Sequence, residues 1–218
     1  MLFLHGWGQS SEYFNPIADF FSKFCRVTLF DFSGFGRSEE PTRPMTVTDY
    51  VNETIKVIKD NDLKDVTVIA HSFGARVAFE LANSTSYVKK LVIVDGAGIL
   101  PKRTLKYYLK VYLYKIKKRL GLSTKNCGSK DYKQLSAVMK KTFVNVVNYD
   151  QTKMLKNIKT KTLIVWGEKD KETPLYMAKI MRKNLPNSRL VILEDCSHFS
   201  FLEDTYAFIN LVRDFIDE

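Results

Sequence analysis

The stretch "VTVIAHSFGARVAFELA", residues 66–82, joins two patterns with almost nothing between them. Val66 to Ile69 is a short apolar-rich run that reads as a buried strand, and Arg76 to Ala82 reads as the start of a helix. The connection is Ala70-His71-Ser72-Phe73-Gly74, small residues crowded around a hydroxyl. A turn this tight lifts Ser72 above the end of a strand and aims the first backbone N–H groups of a helix at whatever the serine meets. Alanine and glycine on either side answer the crowding. A serine hydroxyl is a poor nucleophile until a base takes its proton and donors stabilise the developing oxyanion. The alternative reading, Ser72 as an ordinary helix cap, needs no such partners.

Working outward, the partners are sought downstream. The chain has three histidines. His71 lies inside the turn and His5 precedes the first Gly-rich turn, so both read as structural. His198, in "LEDCSHFSF", follows the last strand pattern and is the candidate base. The acid that orients it is sought between them. Asp170, in "LIVWGEKDKETP", follows a strand and precedes a proline-led helix, with Asp95 as its rival and Glu168 nearby. The order Ser, Asp, His is the one expected when the nucleophile sits on a strand-to-helix turn.

Strand and helix patterns alternate along the rest of the chain. Strands are expected at Met1–Leu4, Arg26–Phe30, Val66–Ile69, Lys90–Val94, Thr162–Val165 and Arg189–Leu193. Helices are expected at Ser11–Phe24, Thr48–Asn61, from Phe73, Pro174–Leu185 and Thr205–Ile216. This is an α/β chain with a mostly parallel sheet of about six strands flanked by helices. Residues 100–157 break the alternation with a long helix over Arg103–Leu120 and a second over Asp131–Val147. They read as a helical cap inserted into a core formed by 1–99 and 158–218.

Six segments in order, "LFLHGWG", "DFSGFGRS", "AHSFGA", the insertion after "VIVDGAG", "WGEKD" and "CSHF", resemble the α/β-hydrolase superfamily in its capped, esterase- and thioesterase-like branch. The resemblance covers nearly the whole chain. It implies that the backbone N–H groups of Trp7 and Phe73 form the oxyanion hole and that Asp31 to Ser38 is a structural turn. It further implies that Ser72, Asp170 and His198 cleave a carboxylic ester or thioester with no metal and no cofactor. Cleavage of a carbon–carbon bond next to a ketone, or a lyase reaction, would use the same three residues. Ala70 stands where glycine is commoner. The family also has two strands ahead of "LFLHG", so the sheet is expected either to be shortened to six strands or to lack strands of a natural N-terminus. In either case "RVTLF" becomes an edge, with Thr28 offering an edge donor, and it is expected either to pair with another copy or to be covered by another element.

Net charge is +10, and it is unevenly spread. From Pro101 to Lys161 there are 17 Lys/Arg against two acids, whereas the rest of the chain has 17 against 22. The excess reads either as a solvated face or as an attraction for anions: a carrier-linked acyl substrate or an acidic protein partner rather than a specific nucleic acid. A docking module using the same surface, without catalysis, is the non-enzymatic alternative. The cap tyrosines Tyr107, Tyr108, Tyr112 and Tyr114 read first as packing; Tyr108, Tyr112 and, beside the base, Phe199 are the candidate substrate contacts. No apolar run approaches the ~20 residues of a membrane span. The three cysteines lack metal-ligand spacing, and nothing at the start resembles a signal peptide. A cytoplasmic protein is expected.

Overall fold

The computed structural model describes residues 1–102, 119 and 130–218. Six strands, β1 (Leu2–Leu4), β2 (Thr28–Leu29), β3 (Val66–His71), β4 (Val88–Val94), β5 (Lys161–Gly167) and β6 (Ser188–Leu193), form one sheet in the order β2-β1-β3-β4-β5-β6. Every neighbouring pair is parallel. The helices among the described residues are α1 (Asn15–Phe21), α2 (Val47–Asp60), α3 (Phe73–Ser84), α4 (Lys130–Gln134), α5 (Ala137–Val147), α6 (Tyr176–Asn184), α7 (Ser200–Glu203) and α8 (Thr205–Asp217).

The strands are apolar on both sides because both faces are covered. Leu2, Leu4, Val68, Ala70, Leu91, Ile93, Ile164 and Trp166 point to one face, where α2, α3 and α6 supply Tyr50, Phe79 and Met181. Phe3, Ile69, Val92, Val94, Leu163 and Val165 point to the other, covered by Ile17 and Phe21 of α1 and by Phe208, Val212 and Phe215 of α8. Alternate residues of one strand therefore serve two separate cores, which is the period of a pleated strand.

Three expectations change in detail. The helix expected over Ser11–Phe24 is a 3-10 turn, Ser11–Phe14, followed by α1, whose first turn holds Pro16; it stops at Phe21. Proline is accommodated there because the first-turn N–H groups have no partner within the helix. The helix expected over Asp131–Val147 is two helices. Ser136, with extended backbone, caps α5 by accepting from the Met139 N–H at 3.1 Å, and so ends one helix and starts the next. The edge strand is correctly placed but reduced to two residues, and Thr28 faces inward: its N–H donates to the Met1 carbonyl at 2.9 Å. Since successive residues of a strand present their backbone groups to opposite sides, Val27 and Leu29, not Thr28, face the open side of the sheet.

The expected long helix Arg103–Leu120, with Tyr108 and Tyr112, lies outside the described residues apart from Arg119. Helix α5 of the same insertion seats on the core. Its Thr142 hydroxyl accepts from the Met45 N–H at 3.0 Å, and Asn145 donates to the Met45 carbonyl at 3.0 Å. Buried Arg76 of α3 donates to the Tyr149 carbonyl just beyond it. The segment lies between β4 and β5 in the chain, and these two strands are neighbours in the sheet.

Candidate active site

Ser72 follows β3 immediately and has φ 48° and ψ −113°, a conformation that a side chain other than glycine adopts only under strain. Its hydroxyl makes no helix-capping bond, which removes the capping reading. The turn is possible because α3 starts almost in contact with β1: a Cβ on Gly74 would lie 2.2 Å from the Leu4 carbonyl oxygen. Only glycine fits there.

The Ser72 Oγ lies 3.0 Å from His198 Nε2, and His198 Nδ1 lies 2.8 Å from Asp170 Oδ2. The three residues singled out from the sequence are thus brought into one hydrogen-bonded line across positions 72, 170 and 198. A second close approach permits it: a Cβ on Gly167, at the end of β5, would lie 2.1 Å from the Ser197 carbonyl oxygen. Asp170 is held in turn by the N–H groups of Glu172 and Thr173 on its Oδ1, at 2.8 and 3.0 Å, and by the Thr173 hydroxyl on its Oδ2 at 2.7 Å. Burial raises the carboxyl's pKa, but the bonds from His198 and Thr173 outweigh it, and the net direction is downward. For His198, burial disfavours the charged ring; the bond and charge of Asp170, with Glu172 and Asp95 behind, outweigh that and raise its pKa.

Asp95, the rival acid, does not reach His198 by any hydrogen bond. It is fully buried and ties two loops together, accepting from the Gly167 N–H at 2.8 Å and from the Ser200 N–H and hydroxyl at 3.0 and 2.6 Å. Burial pushes its pKa up to about 6 despite these donors. It braces the two segments that carry Asp170 and His198.

The other histidines are structural, as expected. His5 Nε2 accepts from the Phe32 N–H at 3.0 Å, and burial lowers its pKa. His71 is wholly buried; its Nε2 meets the His198 carbonyl oxygen at 2.7 Å and its Nδ1 the Gln9 side chain at 3.0 Å. Burial and the neighbouring His198 lower its pKa to about 3. The Gln9 side-chain oxygen accepts from the Gly6 N–H at 3.2 Å, so His71 links the loop that carries Trp7 to the loop that carries His198.

Trp7 and Phe73 meet edge to face, ring centroids 5.6 Å apart, beside the serine. Among the described residues neither backbone N–H has a hydrogen-bond partner, so both remain available to an incoming oxygen. Trp7 also packs on Phe35 and, across the insertion, on Phe143 of α5 at 5.2 Å; Tyr132 of α4 lies 5.6 Å from Phe143. Phe199 is half-buried, stacked on Tyr13 at 5.8 Å and edge-on to His198 at 5.7 Å. Sequence reasoning did not find Gln9, Phe143, Thr173 or the bracing role of Asp95. The one available signal was that Thr173 follows the acid by a turn's length.

A sequence profile described as "Alpha/beta hydrolase family" matches residues 1–210. The chain belongs to the alpha/beta hydrolase family. A proline iminopeptidase of Saccharolobus solfataricus is 26% identical, over 99% of this chain and 84% of that protein. A pimeloyl-[acyl-carrier protein] methyl ester esterase of Legionella pneumophila is 24% identical, over 99% of this chain and 94% of its own length. Among solved structures, an esterase from Exiguobacterium antarcticum superposes with a TM-score of 0.81 at 21% identity, covering all of this chain and 91% of that one. The family hydrolase is thus an enzyme built on a six-stranded parallel sheet among its described residues, and none of the helices described is long and apolar enough to cross a membrane.

Proposed function

We propose that this hydrolase cleaves a carboxylic ester or thioester through an acyl-enzyme, with Ser72 as nucleophile, His198 as base and Asp170 as its orienting acid. The observation that carries the reading is the line Ser72 Oγ–His198 Nε2 and His198 Nδ1–Asp170, on a strained turn. Ser72 Oγ attacks the acyl carbon while its proton passes to His198 Nε2. Asp170 holds the imidazolium, and the Trp7 and Phe73 N–H groups receive the carbonyl oxygen as it gains charge. The tetrahedral intermediate collapses, the C–O or C–S bond breaks, and the leaving group takes the proton from Nε2. Water then attacks with the same nitrogen as base and releases the acid. A fluorophosphonate probe tests the reading: wild type is labelled and Ser72→Ala is not. An unlabelled wild type would favour the docking-module alternative. Turnover of an ester and thioester panel then fixes the bond cleaved.

The substrate side is proposed from charge. The basic excess of residues 101–161 suits an acyl group presented on an acidic carrier, in keeping with the carrier-linked substrate in the Legionella relative's name. In this reading residues 100–157 act as the cap, with Tyr108, Tyr112 and Phe199 as substrate contacts. Replacing Lys115, Lys117, Lys118 and Arg119 with glutamate lowers turnover of an acyl-carrier ester while sparing small neutral esters, and raised salt does the same by screening beyond about 8–10 Å. Equal effects on both substrate types would remove the carrier.

The open edge beside β2 is proposed as a self-association surface. Val27 and Leu29 present their backbone groups there with no partner strand among the described residues. Sedimentation over a hundredfold range of concentration is expected to show mass rising toward a dimer. A constant monomer mass discards this proposal without touching the chemistry.

A further inference from the structure

Glu172 stands out at the mouth of the site. Its Oε2 lies 3.4 Å from His198 Nε2, the same nitrogen that faces Ser72, while its side chain is 70% exposed. The catalytic ring therefore has one carboxylate behind it on Nδ1 and a second in front of it, on the reacting side. The backbone there is held in place: the Glu172 N–H donates to Asp170 Oδ1 at 2.8 Å, so the residue that orients the ring also anchors the main chain from which Glu172 reaches in front of it. Among the described residues Glu172 has no lysine or arginine within ion-pairing distance; nearby Lys169 is taken by Asp195 at 2.5 Å.

We infer that Glu172 is a specificity-determining residue that favours esters whose leaving group is cationic over those whose leaving group is neutral, and neutral over anionic. The inference rests on the hydrolase reading above. The leaving oxygen must come within hydrogen-bond distance of His198 Nε2 to take its proton. Substituents one to three bonds beyond that oxygen then lie within a few ångströms of the Glu172 carboxylate. A positive charge there is attracted in the transition state, and a negative one is repelled. Because the side chain is largely exposed, water screens the effect, and a single charge at this range changes kcat/KM by roughly three- to tenfold. An acidic carrier, if it delivers the substrate, is thereby assigned to the acyl side, with a small alcohol departing past Glu172.

The test compares acetylcholine with the ester in which its quaternary nitrogen is replaced by carbon, a pair alike in shape and different in charge. The expected kcat/KM ratio favours the cationic ester roughly three- to tenfold in wild type, falls to near one in Glu172→Gln and inverts in Glu172→Lys. Dividing one substrate by the other cancels any general damage to the site, which a merely structural role would produce. High salt is expected to shrink the wild-type ratio. A wild-type ratio near one, or one that survives in Glu172→Gln, overturns the inference while the neutral ester is still cleaved and the hydrolase reading stands. Failure of wild type to take the fluorophosphonate label overturns both.

Discussion

Replacing Ser72 with alanine is expected to lower kcat roughly 10⁴- to 10⁶-fold, and His198→Ala to fall in the same range, since the members of such a line act as a unit. The loss is chemical. The Ser72 side chain is bonded to His198 and makes no cap for α3. Alanine inherits the same positive φ, so the strain of the turn stays, and unfolding transitions of wild type and Ser72→Ala should nearly coincide. Measuring kcat on a neutral ester beside thermal unfolding separates rate from stability. A Ser72→Ala protein retaining a tenth of the wild-type rate would remove the assignment. The pH profile carries the same signature. In the proposed mechanism His198 must be neutral to act as base, and Asp170 holds its pKa above the ordinary imidazole value of about 6.5 against the opposing effect of burial. A raised pKa keeps the proton on to higher pH, so kcat/KM falls on acidification from a point above that value. Asp170→Asn removes the main raising influence and moves the limb to lower pH.

Much of this was legible in the residues. The elbow declared itself because its demands are local: a strand, a helix and no room between them force small neighbours around Ser72. The parallel sheet was legible for a similar reason, since runs such as Leu91 to Val94 and Leu163 to Trp166 are apolar at every position only when both faces are covered. What could not be read were distances set by neighbouring strands. Asp95 and Asp170 both follow strands, and β4 and β5 lie side by side, so only the structure shows that Asp170 reaches Nδ1 while Asp95 turns to Gly167 and Ser200. The inward face of Thr28 was equally hidden, because which way a two-residue strand presents its N–H depends on its register with β1. Nothing in "EKDKETP" marks out Glu172; its place 3.4 Å from His198 Nε2 depends on the turn that Asp170 imposes on its own backbone.

The sharpest separation of the two buried aspartates comes from making the same change in each. Asp170→Asn keeps the shape but puts an amide opposite His198 Nδ1, which stabilises the wrong tautomer and leaves the imidazolium without its counter-charge. A loss of roughly 10²- to 10⁴-fold in kcat is expected, with little change in unfolding temperature. Asp95→Asn acts on the scaffold instead. The carboxylate receives three N–H and O–H donors, from Gly167 and Ser200, and an amide can accept on one oxygen only. At least one buried donor then faces an N–H, at a cost of about 1–3 kcal/mol. The unfolding temperature should therefore drop clearly. The rate per folded molecule falls less than in Asp170→Asn, because the braced loops loosen but Nδ1 keeps its acid. A double variant is expected to show the two losses on separate axes, one in kcat and one in stability. Should Asp170→Asn be harmless and Asp95→Asn cripple kcat at unchanged stability, the acid would have to be reassigned to Asp95, whose side chain would then have to swing away from Ser200 and toward the ring during turnover.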